Sequence, residues 1–220
     1  MLFINAVIHT MAGSVIENGF IETEGSAIKR VGSVSELSES EKSDAIDLRG
    51  DSVYPGFIDT HTHLGLVGDA LGFESDDINE MTNPLTPHLR AIDAINPLDL
   101  SFKEAAQAGV TAVVACPGSS NPIGGQTAAI KTHGVCVDDM IIKAPLSIKM
   151  ALGENPKTVY HERKESPSSR MATAAAIRGI LNEAKEYLAK KEKDEDQDYN
   201  QALEALIPLL KGEIPAYIHA

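Results

Sequence analysis

The segment from Val53 to His63 constrains the fold most. Val53 to Ile58 is apolar except for Pro55 and Gly56, and it runs straight into Asp59, Thr60, His61, Thr62 and His63. An apolar strand whose carboxyl end turns polar is the pattern of an α/β barrel, where sites gather at the C-terminal ends of the strands. Side chains at i and i+2 of a strand share a face. His61 and His63 therefore project together, which suits a divalent cation such as Zn²⁺. Two exposed loop histidines are the alternative reading of so short a pattern.

The chain around this segment changes character at its start. Residues 1–52 read as short strands and turns: Leu2 to His9, Phe20 to Thr23, Ala27 to Val31 and Ala45 to Leu48, with Glu24, Gly25 and Ser26 as a turn. From residue 53 to residue 220 the pattern is α/β. A long polar stretch, Leu64 to Pro97, reads as irregular and functional. Leu98 to Ala108 has helical character and stops at Gly109, and Val110 to Cys116 is a β-branched run. A loop from Pro117 to Gln126 follows. Thr127 to Thr132, Ile141 with Ile142, and Leu146 to Leu152 are further strand candidates. Ser166 and Pro167 mark a helix start, before Ile177, Ile180, Leu181, Ala184 and Leu188 at helical spacing. Lys190 to Asp198 reads as a solvated helix end. Leu203, Leu206, Ile207 and Leu210 form a second face, with Pro208 expected to kink or shorten that helix. Ile214 to Ile218 reads as one more buried strand before His219.

Composition excludes several function classes. Of 220 residues, 19 are Lys or Arg and 32 are Asp or Glu, a formal charge of −13. Such a chain is repelled by nucleic acid and anionic membranes, so neither is an expected partner. Two cysteines, Cys116 and Cys136, make no disulfide framework and point to a reducing, cytoplasmic setting. The first residues lack a basic n-region, and no run of 18 apolar residues exists, so neither a signal peptide nor a membrane span is expected.

The stretch YPGFIDTHTH, Tyr54 to His63, closely resembles the Pro-Gly-hydrophobic-Ile-Asp-x-His-x-His signature of the amidohydrolase superfamily. Asn79 to Pro97, NPIGGQ (Asn121 to Gln126) and IKMALGENPK (Ile148 to Lys157) are similar to its imidazolonepropionase-related branch. The resemblance implies a (β/α)₈ TIM barrel, of which this chain holds about the first five strands in residues 53–220, preceded by part of a small β-sandwich in residues 1–52. It implies hydrolysis of a C–N bond, in an amide or cyclic amide of a small-molecule substrate, through metal-activated water. His61 and His63 match the ligands after barrel strand one. Lys149 matches a position that often holds a carboxylated lysine bridging two metals, and His219 matches the next histidine ligand. The cofactor implied is one or two divalent ions, Zn²⁺ first, with Fe²⁺ or Mn²⁺ as alternatives.

Lys149 also has a physical argument: a lone lysine inside an apolar strand is costly unless paired or neutralised. A stem that is buried while its amine snorkels to solvent is the other reading. Gly124, Gly125 and Gln126 are candidates for a substrate loop, or for a plain turn. Asp59 is expected to support the strand end, Glu154 to sit in a loop as the runner-up carboxylate, and Cys116 to be a small buried residue. His9 is assigned to the β unit, and His88, His133 and His161 to surface or loop positions.

An eight-stranded barrel takes about 250 residues in the usual case. The later histidine ligand and the aspartate that handles the proton have no counterpart here, so the general base is expected in an absent C-terminal part. The chain is expected to be a piece with little activity alone, completed by a homo-oligomer or by the missing C-terminal half. The competing function is a noncatalytic assembly or binding protein built on a half-barrel scaffold.

Overall fold

The structure, a computed structural model, describes residues 1–68 and 72–220. The chain divides into two compact units, Met1–Gly56 and Phe57–Ala220, so the division falls four residues beyond residue 52. The first unit holds β1 (Leu2–Ile8), β2 (Ile16–Glu24), β3 (Ala27–Ser33), α1 (Glu39–Lys42), β4 (Ile46–Asp47) and β5 (Ser52–Val53). These strands form one sheet in the order β3-β2-β1-β4, with β5 also along β1. Alternation in β1 turns Ile4, Ala6 and Ile8 inward, and Ile4 packs with Phe20, Val34 and Leu37. Ser38 caps α1 in a capping box with Glu41. Arg30 on β3 donates to Glu22 and, at 2.8 Å, to Glu41.

The guanidinium of Arg30, with help from Ser38, holds the Glu41 carboxyl down at about 2. A carboxyl depressed on folding adds stability above its unfolded value, near 4.5 here, and loses it as pH falls towards 2. Both groups are solvent-accessible, so the effect is modest. Thermal unfolding of Arg30→Ala against the parent should show a lower midpoint at pH 7 and a smaller difference at pH 3. Equal differences at both pH values would contradict this.

The second unit runs β6 (Phe57–Thr62), α2 (Leu100–Gln107), β7 (Val110–Ala115), β8 (Ile123–Gln126), β9 (Ala128–Lys131), α3 (Val137–Met140), β10 (Ile141–Lys143), β11 (Ile148–Ala151), α4 (Glu154–Glu162), α5 (Arg170–Glu192), α6 (Gln201–Leu210) and β12 (Ala216–His219). It is mixed α/β, with two sheets ordered β10-β9-β7-β6 and β12-β11-β8. β6 and β7 are parallel, as are β11 and β12, while β9 runs antiparallel to β7 and β8 antiparallel to β11. The chain passes between the sheets at Thr127. There Thr127 N donates to Ser147 O and Leu146 N to Thr127 O, both at 2.9 Å, and the two hydroxyls of Thr127 and Ser147 meet at 2.6 Å. One sheet packs Val113, Ala115 and Ile130 against Phe102 and Met140. The other packs Ile123, Ile148 and Met150 against Ile177, Ile180, Ala184 and Leu206 of α5 and α6.

Four local expectations are corrected. Ile123–Gln126, expected within a loop, is strand β8. The residues from Glu154 onwards form helix α4, because Pro156 sits in the first turn, where a backbone N–H has no intrahelical acceptor to lose. Helix α5 starts at Arg170 under a Ser169 cap, not at Ser166 and Pro167. Helix α6 continues through Pro208 to Leu210. Gly109, at φ 88°, does end α2 as expected. Residues 69–71 of the irregular stretch Leu64 to Pro97 lie outside the described residues. Among the described residues, no helix is long and apolar enough to cross a membrane.

That irregular stretch is tied down by buried polar bonds. Asn121, 2% exposed, donates through Nδ2 to Glu80 O at 2.6 Å and to Thr86 Oγ1 at 3.3 Å. Its Oδ1 accepts from the Tyr160 hydroxyl at 2.8 Å, and Thr86 donates on to Ile123 O at 3.1 Å. Removing a partner inside such a network strands the others. Asn121→Ala should lower stability by about 2–3 kcal/mol in urea titration. An unchanged midpoint would show that the network is dispensable.

Candidate metal centre

His61 stands in β6 and His63 just past its end. The His61 backbone N–H donates to Asp59 Oδ1 at 3.0 Å, so Asp59 shapes the strand end. His63 Nδ1 lies 2.7 Å from the carbonyl oxygen of Cys116, at the end of β7. A carbonyl only accepts, so Nδ1 carries the proton and Nε2 keeps its lone pair. The two ring centroids are 5.8 Å apart at 78°. Two imidazoles on one tetrahedral Zn²⁺ at Zn–N distances of about 2.0–2.1 Å would have centroids roughly 5 Å apart. Their spacing is therefore within a small side-chain adjustment of sharing an ion.

Lys149 reaches this pair from the other sheet. It is 1% exposed, and its Nζ lies 3.2 Å from His61 Nε2, 3.9 Å from Cys116 Sγ and 5.1 Å from the centre of the Tyr217 ring. Among the described residues no carboxylate forms an ion pair with it. Partial desolvation first, and then the nearby charge of Lys149, pushes His61, itself an exposed residue, below the ordinary histidine value. Burial likewise pushes the Cys116 thiol up, as befits a residue packed inside.

Lys149 sits opposite Tyr217 in the parallel pair β11/β12, and Ala151 opposite His219. In-register neighbours and i, i+2 residues share a face, which puts Lys149, Tyr217 and His219 together. His219 Nε2 is 3.4 Å from Asn155 Nδ2 on α4. Tyr217 was not singled out from sequence; its hydroxyl donates to Thr60 O at 3.3 Å and its ring meets His61 edge-on at 5.2 Å. Its place two residues before His219 was the available signal.

Gly125 pairs with Lys149 across β8 and β11. At φ +132° it takes a backbone form that favours glycine, and a Cβ there would fall 2.6 Å from Leu89 O. A Cβ on Gly124 would touch the Lys149 stem at 3.9 Å. The Gln126 side chain donates to Pro87 O at 3.3 Å. These three residues thus line the strand beside Lys149. Glu154 opens α4 and faces an open cavity of about 560 Å³, shared with His63, Asn79, Ser119 and Asn155. His9 stacks on Tyr54 in the first unit, His133 and His161 are exposed, and His88 carries a buried Nδ1 with no hydrogen-bond partner.

The two imidazoles fit a cation in kind, whereas Lys149 fits one only once its amine is neutralised or carboxylated, since among the described residues no anion pairs with it. They fall short in number, because among the described residues no group of three or more His, Cys, Asp or Glu converges as a metal site. A buried, unneutralised amine weakens the fold. Lys149→Met should therefore raise the unfolding free energy of the metal-free chain, read from urea titration, by about 1–3 kcal/mol, while weakening zinc binding. A destabilised Met variant would contradict this account of Lys149.

No family model matches the sequence. The structure is similar to the crystal structure of an amidohydrolase from Thermotoga maritima MSB8, with a TM-score of 0.91 and 38% identity, covering 100% of this chain and 57% of that one. The chain is 32% identical over 159 residues to amidohydrolase tasK of Hapsidospora irregularis, covering 66% of this chain and 16% of that protein. It is 46% identical over 59 residues to imidazolonepropionase of Pseudomonas savastanoi pv. phaseolicola, covering 27% of this chain and 15% of that protein. The chain belongs to the amidohydrolase superfamily, and it spans only part of the length of each of these relatives.

Proposed function

We propose that the chain contributes the first half of a metal-dependent hydrolase centre that cleaves a C–N bond, in an amide or cyclic amide of a small molecule. The observation that carries this reading is the meeting of Lys149 with His61, next to His63, across two sheets. In this reading residues 53–220 are the start of a (β/α)₈ barrel and residues 1–52 part of a flanking β-sandwich. The parallel pairs β6/β7 and β11/β12, each with donors at the carboxyl ends, support it.

His61 and His63 would hold a divalent ion, Zn²⁺ being the first expectation for imidazole ligands. A carboxylated Lys149 would offer an anionic oxygen, and His219 a further nitrogen. Such an ion supplies Lewis acidity, lowering the pKa of water to about 7 and polarising the scissile carbonyl. The protein's own share is positional. Cys116 O fixes the His63 ring, Tyr217 excludes water from the Lys149 amine, and β8 closes the space behind it. The cavity beside His63 gives the substrate its approach. None of these groups is placed to accept the proton from water, so the chain alone should turn over slowly.

The test is hydrolysis of cyclic and acyclic amides by the full chain with zinc restored, together with zinc affinity from chelator competition. His61→Ala and His63→Ala should each weaken zinc binding by more than about tenfold and abolish whatever hydrolysis the parent shows. Unchanged affinity in both variants, or hydrolysis that survives chelation, would overturn the reading.

A further inference from the structure

We propose that Asn79 is a substrate-binding residue: its side-chain N–H groups select a substrate that carries a second, neutral carbonyl near the scissile amide. This rests on the reading of the cavity beside His63 as the substrate's approach. Asn79 lies in the irregular stretch after β6 and lines that cavity together with His63, Ser119 and Glu154. The β7–β8 connection holds it at two points. The Ser120 backbone N–H donates to Asn79 Oδ1 at 3.1 Å, and the Gly118 N–H donates to Ile78 O at 2.9 Å. Gly118 is what lets the amide lie so close, because a Cβ there would collide with Asn79 Oδ1 and Nδ2 and with the Ile78 side chain.

These bonds fix which end of the amide faces which way. A backbone N–H only donates, so the atom against Ser120 is the oxygen, and the NH₂ group is turned away from it. Among the described residues nothing accepts from Asn79 Nδ2, and that nitrogen is not enclosed by protein. A donor held rigid at a cavity wall and left unpaired is already oriented for a ligand oxygen, so little is lost in ordering it when the ligand binds. The same wall decides the ligand's charge. Glu154, the first residue of α4, brings a carboxylate, and among the described residues no lysine or arginine lines the cavity. A carboxylate bound at Asn79 would meet that charge uncompensated, whereas a carboxamide carbonyl would not.

The test compares N-acetylglycinamide with its acid, N-acetylglycine, in NMR titrations of the full, metal-free chain. In the parent, the carboxamide should shift the Asn79 side-chain NH₂ signals and bind more tightly than the acid. Asn79→Asp keeps an oxygen for the Ser120 N–H but removes the donor. It should weaken carboxamide binding about tenfold and leave the unfolding free energy unchanged, which a purely structural role would not produce. Glu154→Gln should raise affinity for the acid. Should Asn79→Asp fail to fold, Asn79→Ala carries the same binding readout. Equal carboxamide affinity in the parent and the Asn79 variant, a parent that prefers the acid, or a parent in which the carboxamide leaves the Asn79 signals unmoved would overturn the inference. None of these readouts needs a metal. Their failure while His61→Ala and His63→Ala still weaken zinc binding removes Asn79 alone; unchanged zinc affinity in those two variants removes the hydrolase reading, and a ligand held at Asn79 is then not its substrate.

Discussion

A buried lysine amine, with no carboxylate partner among the described residues, is the constraint around which the second unit is arranged. Charged groups stay buried only when paired, solvated or neutralised. Lys149 is enclosed by His61, Cys116 and Tyr217, and each of these accommodates an amine without supplying a negative charge. Holding it there weakens the fold, and a structural role gives no return for that loss. Conversion of the amine into an anionic ligand, as proposed for Lys149, would remove that charge.

The two sheets make this contact possible. His61 belongs to the β6/β7 pair and Lys149 to the β11/β12 pair, and no ladder joins the pairs directly. The antiparallel ribbon that leaves one sheet and enters the other at Thr127 and Ser147 holds them in place. Within it, Gly125 lets the backbone approach Leu89, and Gly124 lies against the Lys149 stem. Lys149 and His61 therefore meet through backbone pairing far from their contact.

Part of this arrangement was legible in the sequence. The shared face of His61 and His63 follows from strand periodicity, and Lys149 is conspicuous as a lone charge between Ile148 and Met150. The first unit's strands and the stop at Gly109 follow from local chemistry. What stayed hidden depended on distant partners. Apolar runs do not say whether strands pair parallel or antiparallel, so β8 and β9 were not recognised as the ribbon between sheets. Gly-Glu-Asn-Pro reads as a turn until Pro156 is seen to occupy the first turn of a helix. Asn155 and Tyr217 meet His219 and His61 respectively, which lie far from them in the chain. Their residue types carry no such signal alone.

The central claim is that His61, His63 and Lys149 converge on one cation. Anomalous diffraction at the zinc edge, from crystals of the full chain grown with Zn²⁺, addresses it directly. The account predicts a peak within about 2.0–2.1 Å of Nε2 of both His61 and His63, with Lys149 displaced from its contact with His61. Zinc found only elsewhere, with the Lys149–His61 contact intact, would contradict it.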